Sequence, residues 1–87
     1  MNKKYIERML TSREAAWVEI REAVKIKYKG TDKEKYVDLI ELRYEKKMDV
    51  IPTCRKIHIS YTTYYAWREE ILSAVAIHAA YKQLIKP

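Results

Sequence analysis

Tyr61, Thr62 and Tyr65 carry the side chains of this 87-residue sequence that are best suited to contact DNA bases. A threonine hydroxyl can hydrogen bond to several bases, and the carbon atoms of threonine or tyrosine can lie against a thymine methyl group. The three residues fall near the start of a predicted helix, and that part of a recognition helix is the part that reaches base edges. The pattern therefore predicts a base-reading site at these three positions.

Cationic side chains near this segment are candidates for contacts with DNA phosphates. Such contacts fix the position of a protein on the duplex but carry no sequence information. Lys46 and Lys47 lie near the predicted end of a helix, so they suit the helix dipole and phosphate contact equally well. The predicted phosphate-contact set is Arg55, Lys56, Thr63, Arg68, Lys46 and Lys47.

The helix that would precede the recognition helix is predicted over residues 50–57. Asp49 can cap it, because a carboxylate accepts hydrogen bonds from the free amides of a first turn. Cys54 is small enough for a close helix crossing, and Ile51 and Ile57 are the apolar positions that we expect to face the partner helix.

Residues 58–60 form the predicted turn. His58 occupies a position that favours glycine because the backbone there tends to be left-handed, and histidine tolerates positive φ better than most residues. Ser60 is the predicted N-cap of the second helix, which runs from Tyr61 to at least Leu72. The predicted buried stripe of that helix comprises Ile59, Tyr64, Trp67 or Arg68, and Ile71.

Four features of residues 33–72 match a known family. They are a helix ending in Leu42, Arg43 and Tyr44, a helix with Cys54 at its centre, an Ile59-Ser60 turn, and Thr63, Tyr65 and Arg68 in the recognition helix. With these features the segment resembles the C-terminal domain of phage late-gene transcriptional activators of the ArpU and RinA type. Those domains are in turn similar to region 4 of bacterial sigma factors.

The resemblance implies sequence-specific binding of double-stranded DNA at a promoter upstream of late genes, and recruitment of host RNA polymerase. The protein would then be encoded by a phage or prophage and would act in the cytoplasm of the bacterial host. A phage DNA-packaging recognition subunit is a nearby variant that can use the same motif. Two positions depart from the family pattern: His58 replaces a common glycine, and Thr53 replaces an aliphatic residue.

Composition predicts one small all-α domain, made of an N-terminal helical segment (1–30), a helix-turn-helix unit (31–72) and a C-terminal helical extension (73–87). A net charge of +6 favours anionic partners, with a generic soluble surface as the alternative. Residues 1–47 hold 13 Lys or Arg against 9 Asp or Glu, and the remainder holds 5 against 3. Since phosphate neutralisation supplies most non-specific affinity, we expect one subunit to bind DNA weakly.

The N-terminal segment shows a helical apolar spacing at Ile6, Leu10, Trp17, Ile20 and Val24. We expect this stripe to pack in the core, with a binding surface and a dimer seam as the alternatives. We expect one long N-terminal helix, with a capping box at Thr11 and Glu14, and hence two helices with a joint near Leu10, as the alternative.

Gly30 is predicted to end the N-terminal segment. Thr31 and Glu34 predict a second capping box, which would begin a helix over residues 32–47. That helix would be the first of the three in a unit similar to sigma region 4.

Nearly every position from Ile71 to Tyr81 is apolar, which a small monomer has difficulty hiding. We expect one face to pack on the N-terminal helix and another on a second subunit, although both faces could fit inside one bundle. A homodimer or larger homo-oligomer would present two recognition helices about one DNA turn apart. The predicted interface comprises Ile71, Val75, His78, Tyr81 and Ile85.

Motifs typical of enzymes are missing from the sequence. It has no Gly-rich phosphate loop, no HExxH and no nucleophile with a plausible base, so we expect no enzyme, no catalytic residue and no cofactor. One cysteine and two histidines predict no metal site, and we expect His78 to be interfacial or internally bonded. The apolar run at 71–81 is too short to span a bilayer, so no membrane partner is expected.

A protein-interaction module is the alternative from a different functional class. Such a module would engage RNA polymerase or another phage regulator without binding DNA. The sparse positive charge around the recognition helix and the apolar C-terminal extension favour it.

Overall fold

The computed structural model describes residues 2–85, and every regular element in that range is helical, as predicted. Met1, Lys86 and Pro87 lie outside the described residues, the last two at the end of the predicted C-terminal extension. In chain order the elements are α1 (Lys3–Met9), α2 (Ala15–Tyr28), α3 (Lys35–Ile40), a π-helix (Glu41–Glu45) that continues α3, α4 (Val50–Ile57) and α5 (Tyr61–Tyr81).

The expected long N-terminal helix is wrong, because residues 10–14 are not helical and separate α1 from α2; the alternative, a joint near Leu10, is what the structure has. The capping box expected there is wrong. The Thr11 hydroxyl donates back to the carbonyl of Arg8 (2.7 Å), and Ser12 Oγ accepts from the amide of Glu14 instead (3.0 Å). The capping box would need Thr11 Oγ1 to accept from that amide, so it does not form.

Gly30 ends the N-terminal segment with a left-handed backbone (φ +75°), as predicted. The second capping box is also wrong, because Thr31 Oγ1 accepts from the amide of Lys33 (3.1 Å) two residues later. That short bond closes a turn over residues 32–34, so α3 begins at Lys35 instead of residue 32.

The helix predicted over residues 32–47 is α-helical only as far as Ile40 and then continues as the π-helix. The amide of Lys46 donates to the carbonyl of Glu41, five residues earlier (2.9 Å). Leu42 and Tyr44 both lie in the core, while Arg43 between them remains half-buried at the surface. Such π turns are rare and often occur at functional sites.

The long helix α5 is the centre of the packing, with α1 and α2 against it. Glu19 near the start of α2 binds Lys82 just beyond α5 (2.8 Å), so α2 runs antiparallel to α5. The largest fully buried side chains are Trp17, Tyr44, Tyr64, Ile6, Leu10, Ile20, Leu39, Ile40, Ile71, Leu72, Val24 and Val75. Core packing of the Trp17 stripe is therefore confirmed, and a dimer seam built from this stripe is excluded because the chain itself covers it.

The apolar C-terminal helix is mostly hidden inside this one chain. Ile71 and Val75, two of the five predicted interface residues, are completely buried, because α1 and α2 cover the face of α5 that carries them. We therefore reassign these two residues to the core. His78 and Ile85 are half-buried, and Tyr81 is 85% exposed.

Candidate nucleic-acid interface

Helix α4 has the predicted bounds and begins at Asp49, although the Asp49 side chain makes no capping bond. Thr53, the residue that departs from the aliphatic family pattern, is fully buried. Its hydroxyl donates to the carbonyl of Asp49 (2.8 Å), so the buried polar atom is satisfied within its own helix. Threonine can therefore fill an aliphatic position here without an unpaired hydroxyl.

The burial of residues on α4 matches the sequence prediction only in part. Cys54 and Ile57 are buried as predicted, and burial raises the pKa of the Cys54 thiol. Ile51 was expected to face the partner helix, and this is wrong because its side chain is exposed. It lies in the first turn of α4, on the side that neither the π-helix nor α5 covers.

The turn between α4 and α5 is held by a Schellman motif centred on His58. His58 is left-handed (φ 59°, ψ 51°), as predicted for a residue in a glycine position. The amide of Ile59 donates to the carbonyl of Cys54 (3.0 Å), and that of His58 donates to the carbonyl of Arg55 (3.4 Å). This pattern satisfies the last carbonyls of α4 and sets the direction in which α5 leaves.

Ser60 caps α5, which confirms the prediction. Its Oγ accepts from the amide of Thr63 (3.1 Å) and donates to Thr63 Oγ1 at the same distance. Thr63, a predicted phosphate contact, is therefore half-buried and bonded to the cap.

The three predicted base-reading residues are on the surface of the first turns of α5. Tyr61 and Tyr65 are 47% and 50% exposed, and Thr62 is exposed as well. Tyr64 points the other way and is buried. The ring of Tyr65 packs edge-on against that of Tyr64 (centroids 5.0 Å apart), which limits its movement. The fold thus brings a threonine and two tyrosines together on one exposed face.

Arg43 supports this face from behind, and sequence reasoning gave it no role at the site. Its Nε donates to the Tyr64 hydroxyl (3.2 Å), and its Nη1 donates to the carbonyl of Met48 (3.4 Å). The guanidinium also lies over the ring of Tyr44. Arg43 therefore joins the π-helix to the recognition helix through Tyr64.

The predicted phosphate contacts on α4 and the π-helix are exposed, but they do not form one cluster. Arg55 and Lys56 occupy the last turn of α4, and Lys47 follows the π-helix with a left-handed backbone. Lys46 and Lys56 line one cleft, together with the carboxylates of Asp38 and Glu41. Those carboxylates reduce the positive charge of that cleft.

Arg68 is not at the exposed face, and we correct its assignment as a phosphate contact. It is bound within the fold by the carboxylate of Glu7 in α1, through Nε and Nη2 (both 2.9 Å). The same carboxylate accepts from the Tyr44 hydroxyl (2.6 Å). Burial alone would raise the pKa of Glu7, but these hydrogen bonds and the Arg68 charge outweigh it and lower the pKa. Glu7 lies 61 residues from Arg68, so no local sequence signal could have identified the pair.

Two other features, a metal site and a membrane-spanning helix, are absent from the described residues. Within residues 2–85, no three histidine, cysteine or carboxylate side chains lie close enough to hold a metal ion. In the same range, no helix has both the length and the apolar character needed to cross a membrane.

Comparison with known proteins does not add to this geometry. No protein-family model, curated protein or solved structure matches the chain.

Proposed function

We propose that this chain binds double-stranded DNA in a sequence-specific manner and regulates transcription, with the start of α5 as its recognition helix. The observation that carries the proposal is the exposed face of Tyr61, Thr62 and Tyr65 on a helix whose direction is fixed at both sides of the turn. The Schellman motif at His58 and the cap at Ser60 fix that direction. Recognition requires such rigidity, because side chains must meet base edges within a few tenths of an ångström.

The chemistry of this face suits base reading in the major groove. The two phenol groups and one hydroxyl both donate and accept hydrogen bonds, and their carbon atoms offer contacts for thymine methyl groups. None of the three side chains carries a charge at neutral pH, so affinity must come from cations around them. Arg55, Lys56, Lys46, Lys47 and the Thr63 hydroxyl are the proposed phosphate contacts.

The resemblance of residues 33–72 to phage late-gene activators supports a more specific proposal. The protein would act on late genes of a phage or prophage in the bacterial cytoplasm and would assist host RNA polymerase. Recognition of a phage packaging site is the variant that uses the same face for a different process. Two copies would bind such a site together. Of the predicted interface, His78, Tyr81 and Ile85 remain after two residues are assigned to the core, and the exposed Ile77 would extend this contact.

Fluorescence anisotropy on duplexes tiled across DNA neighbouring the gene, at two salt concentrations, tests the proposal. We expect one duplex to bind selectively, and Tyr65→Ala to remove about 1–3 kcal/mol of that selectivity. Ile26→Ala is the matched control, because it also truncates an exposed large side chain but lies on α2. Equal, salt-sensitive binding of all duplexes that is indifferent to Tyr65 would refute the proposal.

A protein-interaction module is the second candidate, favoured by the apolar Ile77 and Tyr81 on the surface of α5. In that case α5 would dock on RNA polymerase or another phage regulator without contacting DNA. A Thr62→Ala and Tyr65→Ala double variant separates the two functions. It abolishes selective DNA binding under the first proposal and leaves partner binding intact under the second.

A further inference from the structure

A cleft lies between α1 and the π-helix, beside the recognition helix α5. It has a volume of about 340 Å³ and is lined by Lys4, Glu7, Arg8, Thr11, Arg43 and Tyr44. Lys4 and Arg8 are four residues apart on α1, so their side chains share one face of that helix. Both side chains are exposed.

The charge of this cleft is strongly positive once its internal bonds are counted. Glu7, its carboxylate, is bound to Arg68 on α5 and to the hydroxyl of Tyr44. Lys4, Arg8 and Arg43 bring three positive charges to the cleft, and its one carboxylate is shared with Arg68. Arg43 donates two hydrogen bonds to the described residues, through Nε and Nη1. Its Nη2 is left to bind a ligand.

Two contacts place this cleft next to the proposed base-reading face. Arg43 touches Tyr64 through its Nε, and the Tyr64 ring packs against Tyr65. Lys3, adjacent to Lys4, binds Glu69, which is one helical turn beyond Tyr65 on α5. The cleft is therefore two side-chain contacts from Tyr65, along the flank of the recognition helix.

We propose that this cleft binds a backbone phosphate of the DNA, with Lys4, Arg8 and Arg43 as donors. The inference rests on the proposed function and extends its contact surface to a helix that the sequence assigned only to packing. A phosphodiester oxygen suits these donors, because guanidinium and ammonium groups form short, charge-assisted hydrogen bonds with it. Residues 48–87 have only a small excess of positive charge. A phosphate site in this cleft would compensate for that, because the fold brings cations from the first half of the chain to the recognition helix.

The test measures salt dependence of binding by the full chain to its selected duplex and to an unrelated duplex. Lys4→Gln with Arg8→Gln removes two charges from the cleft. Lys27→Gln with Lys29→Gln removes two charges from the end of α2 and is the matched control. Each phosphate contact contributes a slope of about −0.9 in log affinity against log salt. We expect the cleft variant to flatten the slope by about one and to weaken both duplexes roughly tenfold, with the preference between them retained.

The outcomes separate this inference from the proposed function. If both double variants change the slope equally, or neither changes it, the cleft is not a phosphate site, while the selective binding by wild type still stands. If wild type selects no duplex, the proposed function fails and the cleft proposal falls with it. Because Arg8 stacks on Tyr5 (5.5 Å) and its loss could disturb α1, Lys4→Gln alone serves as a second variant, with a smaller flattening of the slope expected.

Discussion

Glu7 of α1 holds Arg68 of α5 in a two-point ion pair, with both nitrogen-to-oxygen distances at 2.9 Å. Their side chains are only 22% and 18% exposed. The pair joins α1 to the recognition helix α5. The Tyr44 hydroxyl donates to the same carboxylate and so connects the π-helix to both. Three elements that are distant in sequence thus meet at a single carboxylate.

Glu7→Gln should destabilise the protein by about 2 kcal/mol, because charge-assisted bonds are lost and a half-buried Arg68 charge is left less well paired. Urea unfolding followed by circular dichroism measures this. Glu19→Gln is the control, since water screens the exposed pair of Glu19 with Lys82 and its loss should leave stability almost unchanged. Similar losses in the two variants would contradict a special role for the Glu7 pair.

The lowered pKa of Glu7 predicts how this contribution depends on pH. A carboxylate whose pKa is lower in the folded state than its ordinary value of 4.5 stabilises the fold above that value. The stabilisation is lost as the pH falls below 4.5 towards the folded pKa. The difference in unfolding free energy between wild type and Glu7→Gln should therefore be full at neutral pH and smaller in acid. Urea titrations on both sides of 4.5 test this, and a difference that is independent of pH would refute it.

The left-handed backbone of His58 predicts opposite effects of two substitutions. Gly removes the strain of a Cβ at positive φ, about 1–2 kcal/mol, but makes the unfolded chain more flexible, so a small net gain is expected. His58→Val should cost about 1–2 kcal/mol, because a β-branched residue is poorly tolerated there. At Lys56, an ordinary helical position, Val should instead be better than Gly. The denaturant midpoints of the four variants test this. If Gly and Val rank in the same order of stability at both positions, strain at His58 is refuted.

Ser60→Ala should destabilise the protein by about 1 kcal/mol, because the amide of Thr63 loses its acceptor at the start of α5. Ser73 lies exposed in the middle of the same helix and is the matched control. There alanine has the higher helix propensity, so Ser73→Ala should be neutral or slightly stabilising. Thermal unfolding distinguishes them, and equal melting temperatures would argue against the cap.

Self-association is predicted to depend on Ile77, which is 57% exposed on α5. Ile77→Lys should convert a concentration-dependent dimer to a monomer, because a charge in an apolar contact must be desolvated. Sedimentation velocity over a range of concentrations measures this. Ile26→Lys changes a more exposed apolar residue on α2 (71%) and should leave association unchanged. A wild-type protein that is monomeric at every concentration would remove the dimer from the proposed function.

Local features of this chain were readable without the fold. The bounds of α4, the left-handed His58, the Ser60 cap and the joint near Leu10 depend on residues within a few positions of one another. The exposed face of Tyr61 and Tyr65 opposite the buried Tyr64 likewise depends only on helical periodicity. The two capping boxes were the local failures: the amide of Glu14 bonds to Ser12 and the amide of Lys33 bonds to Thr31, in each case across two residues and not the three that the motif requires.

Tertiary packing decided the features that depend on contacts across the chain. In the π-helix Leu42 and Tyr44, two positions apart, are both buried in the core, which helical periodicity alone does not predict. Packing of α1 and α2 on α5 buries Ile71. The sequence of one apolar helix cannot show whether such a residue lies in the core or at an interface. Glu7 binds Arg68 because those helices meet, and the same meeting places Lys4, Arg8 and Arg43 around one cleft. Side-chain periodicity determines which residues share a helix face, but only the packing of helices determines what that face contacts.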